Sequence, residues 1–410
     1  MEEKKERKMR DSGIPWIGEV PEGWEFSKIK YHCTMKSGDN ITALDISDNG
    51  EYPVYGGNGL RGFYKIYNKN GNHILIGRQG ALAGNVHLVN GKFWATDHAV
   101  IVTLKNDVFI NYFFRMLESM NLNQYAFDTA AQPGLSVSRI MNLNIVLPNL
   151  KEQHRIADFL GSKCSEIDTL IEHLRARMES AKEYKKAVIT EAVTKGLDKD
   201  AKMKDSVVEW IGEIPDGWKV VRFKHIASIK SNLVQPDKYM KYPQIAPDNI
   251  EKDTGRLLSH QTVEESGVIS GNHLFYRGQI LYSKIRPNLN KLTVAPFDGL
   301  CSADMYPIES KLPTLFMVYS MLSTYFVSQV SLIIQDRVKM PKINQEELGE
   351  IKVAVPSQQE MLTIADYLDS KCSEIDALLQ NYEYQIATLE EYKKSLIYEY
   401  VTGKKEVPEA

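Results

Sequence analysis

The sequence predicts an α/β (α+β) fold: two similar globular domains separated by two long helices that form an antiparallel coiled coil, the whole a pseudo-twofold internal repeat. Three observations predict it. Framework segments are written twice, an apolar seam of 3.5-residue period occurs in both copies, and short β-type runs bounded by Gly/Asn turns lie between them.

PWIGEVPEGWEFSKI (15–29) returns as EWIGEIPDGWKVVRF (209–223), with Trp16 and Trp24 matching Trp210 and Trp218 at an offset of 194. FLGSKCSEIDTLIEHL (159–174) returns as YLDSKCSEIDALLQNY (367–382) at an offset of 208, so the second copy is 14 residues longer in between. The predicted order is an N-terminal tail and Trp-rich entry segment (1–27), a first variable domain (28–147), a first helix (148–196), and a linker with the second Trp segment (197–221). A second variable domain (222–355), a second helix (356–403) and a tail (404–410) complete it. The Trp residues are read as packing anchors rather than stacking platforms, because they sit in the shared framework.

The first variable domain holds β-type runs at 52–55, 73–76 and 99–102 and helical periodicity near 108–120; the second holds runs at 279–282 and 291–295 and helical periodicity at 313–329. ILIGRQGALAGNVHL (74–88) aligns with ILYSKIRPNLNKLTV (280–294), and Thr96-Asp97-His98 with Ala303-Asp304-Met305. The reading is one scaffold with different side chains at the loop tips.

Each helix opens on a capping box, Asn149 to Glu152 and Ser357 to Glu360. The first seam runs Leu160, Cys164, Ile167, Ile171, Leu174, Met178, Ala181, Lys185, Val188, Ala192. The second runs Leu368, Cys372, Ile375, Leu379, Tyr382, Ile386, Leu389, Lys393, Leu396, Tyr400. Spacings of 4 and 3 held over about four heptads mean a coiled coil, and connectivity makes it antiparallel. Lys185 and Lys393 break the seam at equivalent positions, either fixing register or snorkelling to water. Helices of about 45 residues are about 68 Å long.

Composition excludes several classes. Apolar residues at 43% and charged ones at 25% are globular values. No apolar run approaches a membrane span, and MEEKKERKMR lacks a secretory core. The four cysteines (Cys33, Cys164, Cys301, Cys372) form no CxxC and suit a reducing cytoplasm; Cys164 and Cys372 fall on the seam and read as core. Net charge is −3, but residues 28–147 and 222–355 are each +3 while residues 356–410 are −6, which fits domains facing phosphate and a helix facing protein.

At this point the chain resembles the specificity subunit of type I restriction–modification enzymes, over about residues 13–403. The resemblance rests on the repeated WIGEVPEGW/WIGEIPDGW, the helix entry at 148–160 with its copy at 356–368, the repeated KCSEID, the helix ends EYKKAVITEAVTKG and EYKKSLIYEYVTGK, and GRQGALAGNVHLVNGKFWATDHAVIV (77–102). It implies a non-catalytic subunit whose two target recognition domains each read half of a bipartite, asymmetric double-stranded DNA site. The helices would set the spacer and dock two methyltransferase (modification) subunits, with restriction (translocase/nuclease) subunits joining the full complex. S-adenosylmethionine, ATP and Mg would belong to those partners, with no cofactor in this chain.

Base reading needs planar donors and acceptors at loop tips. The DNA-binding candidates are Asn58, Arg61, Arg78, Gln79, Asn85, His98, Gln132 and Arg139 in the first domain. In the second they are Lys284, Arg286, Asn288, Asn290, Lys291, Arg337, Lys339 and Lys342, with the loops at 77–85 and 283–291 favoured. No catalytic or metal site is expected. His98 beside Asp97 lacks an identifiable nucleophile, Gly56–Gly59 lacks a phosphate-loop ending, and the nuclease-like Glu309-Ser310-Lys311 has no counterpart in the other repeat. Two other functions compete: a coiled-coil scaffold with protein-binding end domains, and a nuclease.

Overall fold

The computed structural model describes residues 7–80, 83–105, 107–127, 134–337 and 339–408. Its contacts divide the chain into one unit of residues 1–174 with 384–410 and a second of residues 175–383.

In the first unit the sequence's β-type runs become two packed sheets. The strands are β1 (Glu25–Lys28), β2 (Cys33–Ser37), β3 (Tyr52–Gly56), β4 (Gly59–Tyr64), β5 (Lys69–Asn70), β6 (His73–Gly77), β7 (Val86–Val89), β8 (Lys92–Ala95) and β9 (Ala99–Leu104). Helix α1 (Ile110–Ser119) and strand β10 (Asn144–Leu147) follow. The central sheet has the order β2-β9-β6-β7, all antiparallel. The outer sheet has the order β4-β3-β8-β5, with β3 and β8 parallel. The run HILIG is apolar at nearly every position because both faces of β6 are covered. Ile74 and Ile76 face a core with α1, while Leu75 faces a smaller core of Val89, Phe93, Ala95 and Ile101 shared with the outer sheet.

Helix α2 (Leu150–Lys195) spans 46 residues, and α5 (Gln358–Val401), numbered below after two intervening helices, spans 44. The first half of α2 lies in the first unit beside the end of α5. Ile156, Leu160 and Cys164 share one core with Tyr112, Phe113, Leu396, Ile397, Tyr400 and Val401. The Tyr112 hydroxyl donates to the Val401 carbonyl (3.0 Å), fastening α1 to that helix end.

The second unit repeats the plan. Its strands are β11 (Lys219–Arg222), β12 (Ala227–Ile229), β13 (Pro243–Ile245), β14 (Gln261–Thr262), β15 (Asn272–Phe275), β16 (Ile280–Ser283), β17 (Leu292–Val294), β18 (Gly299–Cys301) and β19 (Met305–Ser310). Helices α3 (Thr314–Leu322) and α4 (Thr324–Ile334), strand β20 (Lys352–Val355) and α5 follow. The central sheet is β12-β19-β16-β17, and the outer one is β14-β13-β18-β15 with an added edge at Leu233–Val234; β13 and β18 are parallel. Pairs β1·β10 and β11·β20 also correspond. The length difference falls in two places: residues 57–58 join β3 to β4 whereas residues 246–260 join β13 to β14, and residues 65–72 separate β4 from β6 whereas residues 263–279 separate β14 from β16.

Inside each unit the two long helices run antiparallel. The amide of Glu152 donates to Asn149 (3.0 Å) and that of Glu360 to Ser357 (3.3 Å), so the caps form. The glutamates take other partners than the reciprocal half of a capping box: Glu152 pairs with Arg7, and Glu360 accepts from the Trp218 indole at 3.0 Å. Trp24 and Trp218 are buried and Trp16 half-buried, while Trp210 is exposed and anchors no core.

Seam positions Leu160, Cys164, Ile167, Ile171, Leu368, Cys372 and Ile375 are buried, and Leu174, Met178, Leu379, Tyr382, Ile386 and Leu389 are half-buried. The two seam lysines take carboxylate partners on the facing helix. Lys185 Nζ lies 2.6 and 2.7 Å from both oxygens of Asp376, and Lys393 Nζ 2.7 Å from both of Asp168. The pairs are reciprocal: the lysine of one repeat meets the KCSEID aspartate of the other. The Lys185 side chain is 11% exposed, so this is a pairing that fixes register rather than a snorkelling cation. Asp376→Ala strands that ammonium and is expected to cost about 1–2 kcal/mol, discounted because the carboxylate is half exposed. Replacing Lys185 and Asp376 together by leucine should cost less than the single change in urea denaturation; equal costs would deny the coupling.

The cysteines are core. Burial pushes the Cys33 thiol up to about 12 and that of Cys372 to about 11, so neither is a nucleophile at neutral pH. Among the described residues no single helix is long and apolar enough to cross a membrane.

Candidate nucleic-acid interface

One edge of each central sheet carries a loop tip built the same way in both units. In the first, the Arg78 amide donates to the His98 carbonyl (2.9 Å), extending the β6·β9 ladder by one rung. In the second, the Lys284 amide donates to the Asp304 carbonyl at the same distance, extending β16·β19. The turn before each last strand is anchored alike: Thr96 N–H to Tyr55 O, and Ser302 N–H to Ile245 O, both 2.9 Å.

These bonds correct one sequence alignment. Gly77 corresponds to Ser283 and Arg78 to Lys284, as read from the sequence, but His98 corresponds to Asp304. The sequence alignment had set His98 against Met305; Met305 is the buried first residue of β19, the counterpart of Ala99.

In the first unit the structure gathers most of the predicted side chains. Arg78 and Gln79 are exposed, and the Arg78 guanidinium donates to Ser37 Oγ (3.2 Å). His98 is exposed, 3.9 Å from Asp97. The turn bearing the exposed Asn58 abuts this pair: a Cβ on Gly57 would lie 3.1 Å from the His98 carbonyl and 3.6 Å from that of Gln79. Arg61 is exposed, its stem crossing Gly56 beside Thr96. Asn85 is half-buried at the base, its carbonyl accepting from Gly77 N–H (2.9 Å). Residues 134–135 close the tip from the side, with Leu135 N–H on the Arg78 carbonyl (2.9 Å). Arg139, on the short helix Val137–Met141, donates to the Tyr125 carbonyl (3.4 Å). Gln132 lies outside the described residues.

In the second unit the predicted basic loop divides. Lys284 is half-buried with its ammonium 5.4 Å from the Tyr306 ring centroid, and Arg286 and Asn288 are exposed. Residues 341–343 run alongside: Arg286 N–H donates to Pro341 O (2.7 Å) and Ile343 N–H to Lys284 O (3.0 Å). This brings Lys342 to the tip, 3.1 Å from Asp304, with Lys339 exposed nearby in sequence. Three candidates are corrected. Asn290 is 1% exposed with φ of 42°, and its amide donates to the Met321 carbonyl (3.1 Å); asparagine stands there because it tolerates the left-handed turn. Lys291 is mostly buried, donating to the Pro247 carbonyl (2.8 Å). Arg337 is held by the Glu347 carboxylate, which drops below the usual carboxylate range as a result.

A family model described as the type I restriction modification DNA specificity domain matches residues 21–179. The type I restriction enzyme EcoDI specificity subunit of Escherichia coli is 35% identical over 61% of this chain, and the MjaVIII specificity subunit of Methanocaldococcus jannaschii is 27% identical over 94% of it and 93% of its own length. The chain is thus similar, over most of its length, to specificity subunits of type I restriction–modification enzymes. The alignments span 60% of the EcoDI subunit's length and 38% of that of the EcoprrI subunit, which is 41% identical over the matched part. A solved chain from a study of complex assembly in a type I R-M system shares the fold, with a TM-score of 0.66 at 15% identity, covering 94% of this chain and 99% of that one.

Two other features of the chain bear on its chemistry. His32 bonds Asp107 through Nδ1 and Ser27 through Nε2, both at 2.6 Å, and so ties β1 to the segment after β9; Val221 and Ile226 replace Ser27 and His32 in the second unit. Insertion 246–260 and the helix pair of the second unit line a cleft of about 570 Å³ whose charges pair internally, among them Arg256 with Glu251 (2.9 Å) and Lys186 with Asp253 (4.0 Å).

Sequence reasoning missed Asp304 and the helix carboxylates Asp168 and Asp376. The signal for the aspartates was present: each repeats at the same 208-residue offset as the seam lysine it meets.

Proposed function

We propose that this chain is the non-catalytic, cytoplasmic DNA-recognition subunit of a type I restriction–modification complex. Each unit reads one half of a bipartite, asymmetric duplex site, and the helices set the gap. The observation that carries this reading is the tip: one backbone scaffold, built twice, presents Arg78, Gln79 and His98 in one unit and Lys284, Arg286 and Asp304 in the other. Two different readers on one framework suit an asymmetric, split sequence better than a scaffold binding one protein at both ends.

The helices support docking of two copies of one modification subunit. Leu170 and Leu378 occupy equivalent positions and are 52% and 41% exposed, and Tyr184 and Tyr392, also equivalent, are each 54% exposed. Apolar side chains left in water at the same place in both repeats fit two identical partners. Methylation by S-adenosylmethionine and ATP- and Mg-dependent cleavage are assigned to the modification and restriction subunits.

Selection from a random duplex library, with this chain assembled on its methyltransferase subunits, tests the reading. Two short motifs at one fixed gap are expected; no enrichment by an intact complex would favour the scaffold.

A further inference from the structure

The two tips differ in a patterned way, and the pattern separates holding DNA from reading it. Arg78 and Lys284 occupy the same rung, each a cation, each steadied by its own sheet: Arg78 on Ser37 Oγ, Lys284 over the Tyr306 ring. Directly across that rung stand His98 and Asp304, which differ in charge and in the ability to donate a hydrogen bond. Residues paired across the end of a ladder project from the same face, with Cβ atoms about 5 Å apart. Each tip therefore sets one constant cation beside one variable polar group.

A cation needed in both halves regardless of sequence suits phosphate, the part of DNA that is the same everywhere. The position whose chemistry changes between halves suits a base edge. Asp304 is an acceptor on a tip whose other polar side chains are donors: Lys284 stands across the rung, Arg286 follows on the same loop, and Lys342 pairs with Asp304 at 3.1 Å. A carboxylate placed for phosphate contact would be repelled; screened by its lysines, it keeps lone pairs for an amino group. Glu347, by contrast, has both carboxylate oxygens taken by Arg337.

Resting on the DNA-recognition reading above, we propose that Asp304 is a specificity-determining residue of the second half-site. It accepts a hydrogen bond from the exocyclic amino group of a base in the major groove, while Lys284 holds the adjoining phosphate. Both cytosine N4 and adenine N6 present that group, and Asp or Glu accepting from cytosine N4 is an established pairing. His98 takes the corresponding place in the first half-site, where a ring N–H can donate to a purine acceptor.

The test compares the wild-type complex, Asp304→Asn and Lys284→Ala, each assembled with methyltransferase subunits, by duplex-library selection and by binding titration across a salt series. Asp304→Asn keeps size and removes the charge, and its amide can also donate. It is expected to relax or change preference at one position of the second half-site, by about tenfold or more, with the first half-site intact. Lys284→Ala is expected to weaken every sequence alike and to lower the salt slope by about 1. Methylated or deaminated probes at the affected position then separate cytosine from adenine. If wild type selects a split motif and Asp304→Asn selects the same one with the same discrimination, the assignment is overturned while the DNA reading stands. If wild type selects nothing, the DNA reading itself has failed. A uniform affinity loss for Asp304→Asn, without a change in motif, also overturns the assignment by making Asp304 a support for Lys342.

Discussion

Leu160→Ala is expected to destabilise the first unit by about 2–5 kcal/mol, among the largest effects of any single side-chain truncation in this chain. Leu160 is fully buried in one core with α1, the central sheet and the end of α5. It is the residue through which the seam of the long helix becomes part of the domain. Removing three methylene-sized groups there leaves a cavity bounded by a helix pair and a sheet, neither of which can shift independently to fill it. Urea denaturation gives the magnitude, and amide exchange gives the location: β6 and β9 amides should exchange faster, while β16 and β19 amides hold. Leu368→Ala, at the equivalent and equally buried position, should give the mirror result in the second unit. A loss below about 1 kcal/mol would mean that the helices carry the domains without being part of their cores.

How much of this was legible beforehand follows from the period of each signal. The seam was legible because 3.5-residue spacing persists over many turns, and the long-helix starts were legible because Asn149 and Ser357 are strong caps. The runs HILI (73–76) and QILY (279–282) announced strands, but not that both faces would be covered, since a continuous apolar run carries no alternation to read. The tip register slipped by one residue because Asp97-His98 and Asp304-Met305 share an aspartate, and only the backbone bond from Arg78 to His98 fixes which residue faces which. Asn290 and Arg286 look alike as polar loop residues, and both have positive φ. What separates them is burial against α3, a tertiary fact with no local signature. The 14-residue difference in length was arithmetic; its division between the β13–β14 loop and the stretch from β14 to β16 was not, because loops tolerate insertion wherever backbone is exposed.

Gly38→Ala is expected to cost about 1–3 kcal/mol and, in the same variant, to remove discrimination at the first half-site while sparing the second. The glycine is required by approach rather than by backbone conformation. A Cβ at residue 38 would lie 2.2 Å from the Ala95 carbonyl oxygen and 2.6 Å from that of Thr96. Both are backbone atoms that cannot rotate away. Ala95 is also fixed from its other side by Asn68, whose side chain donates to the Ala95 carbonyl (2.9 Å) and accepts from its amide (2.8 Å). The Gly38 and Asp39 amides donate to the carbonyls of Ala99 and Ala95, both at 3.0 Å, so the added methyl forces apart the segments that those bonds join. The displaced residues are 95–99, the turn that holds His98 opposite Arg78. Thermal unfolding would show the stability loss, and duplex selection with the assembled complex would show a motif degenerate in one half only. A variant as stable as wild type but blind to the first half-site would place the effect wholly in the position of His98. One that is destabilised yet selects the full motif would show that the turn recovers its place on binding DNA.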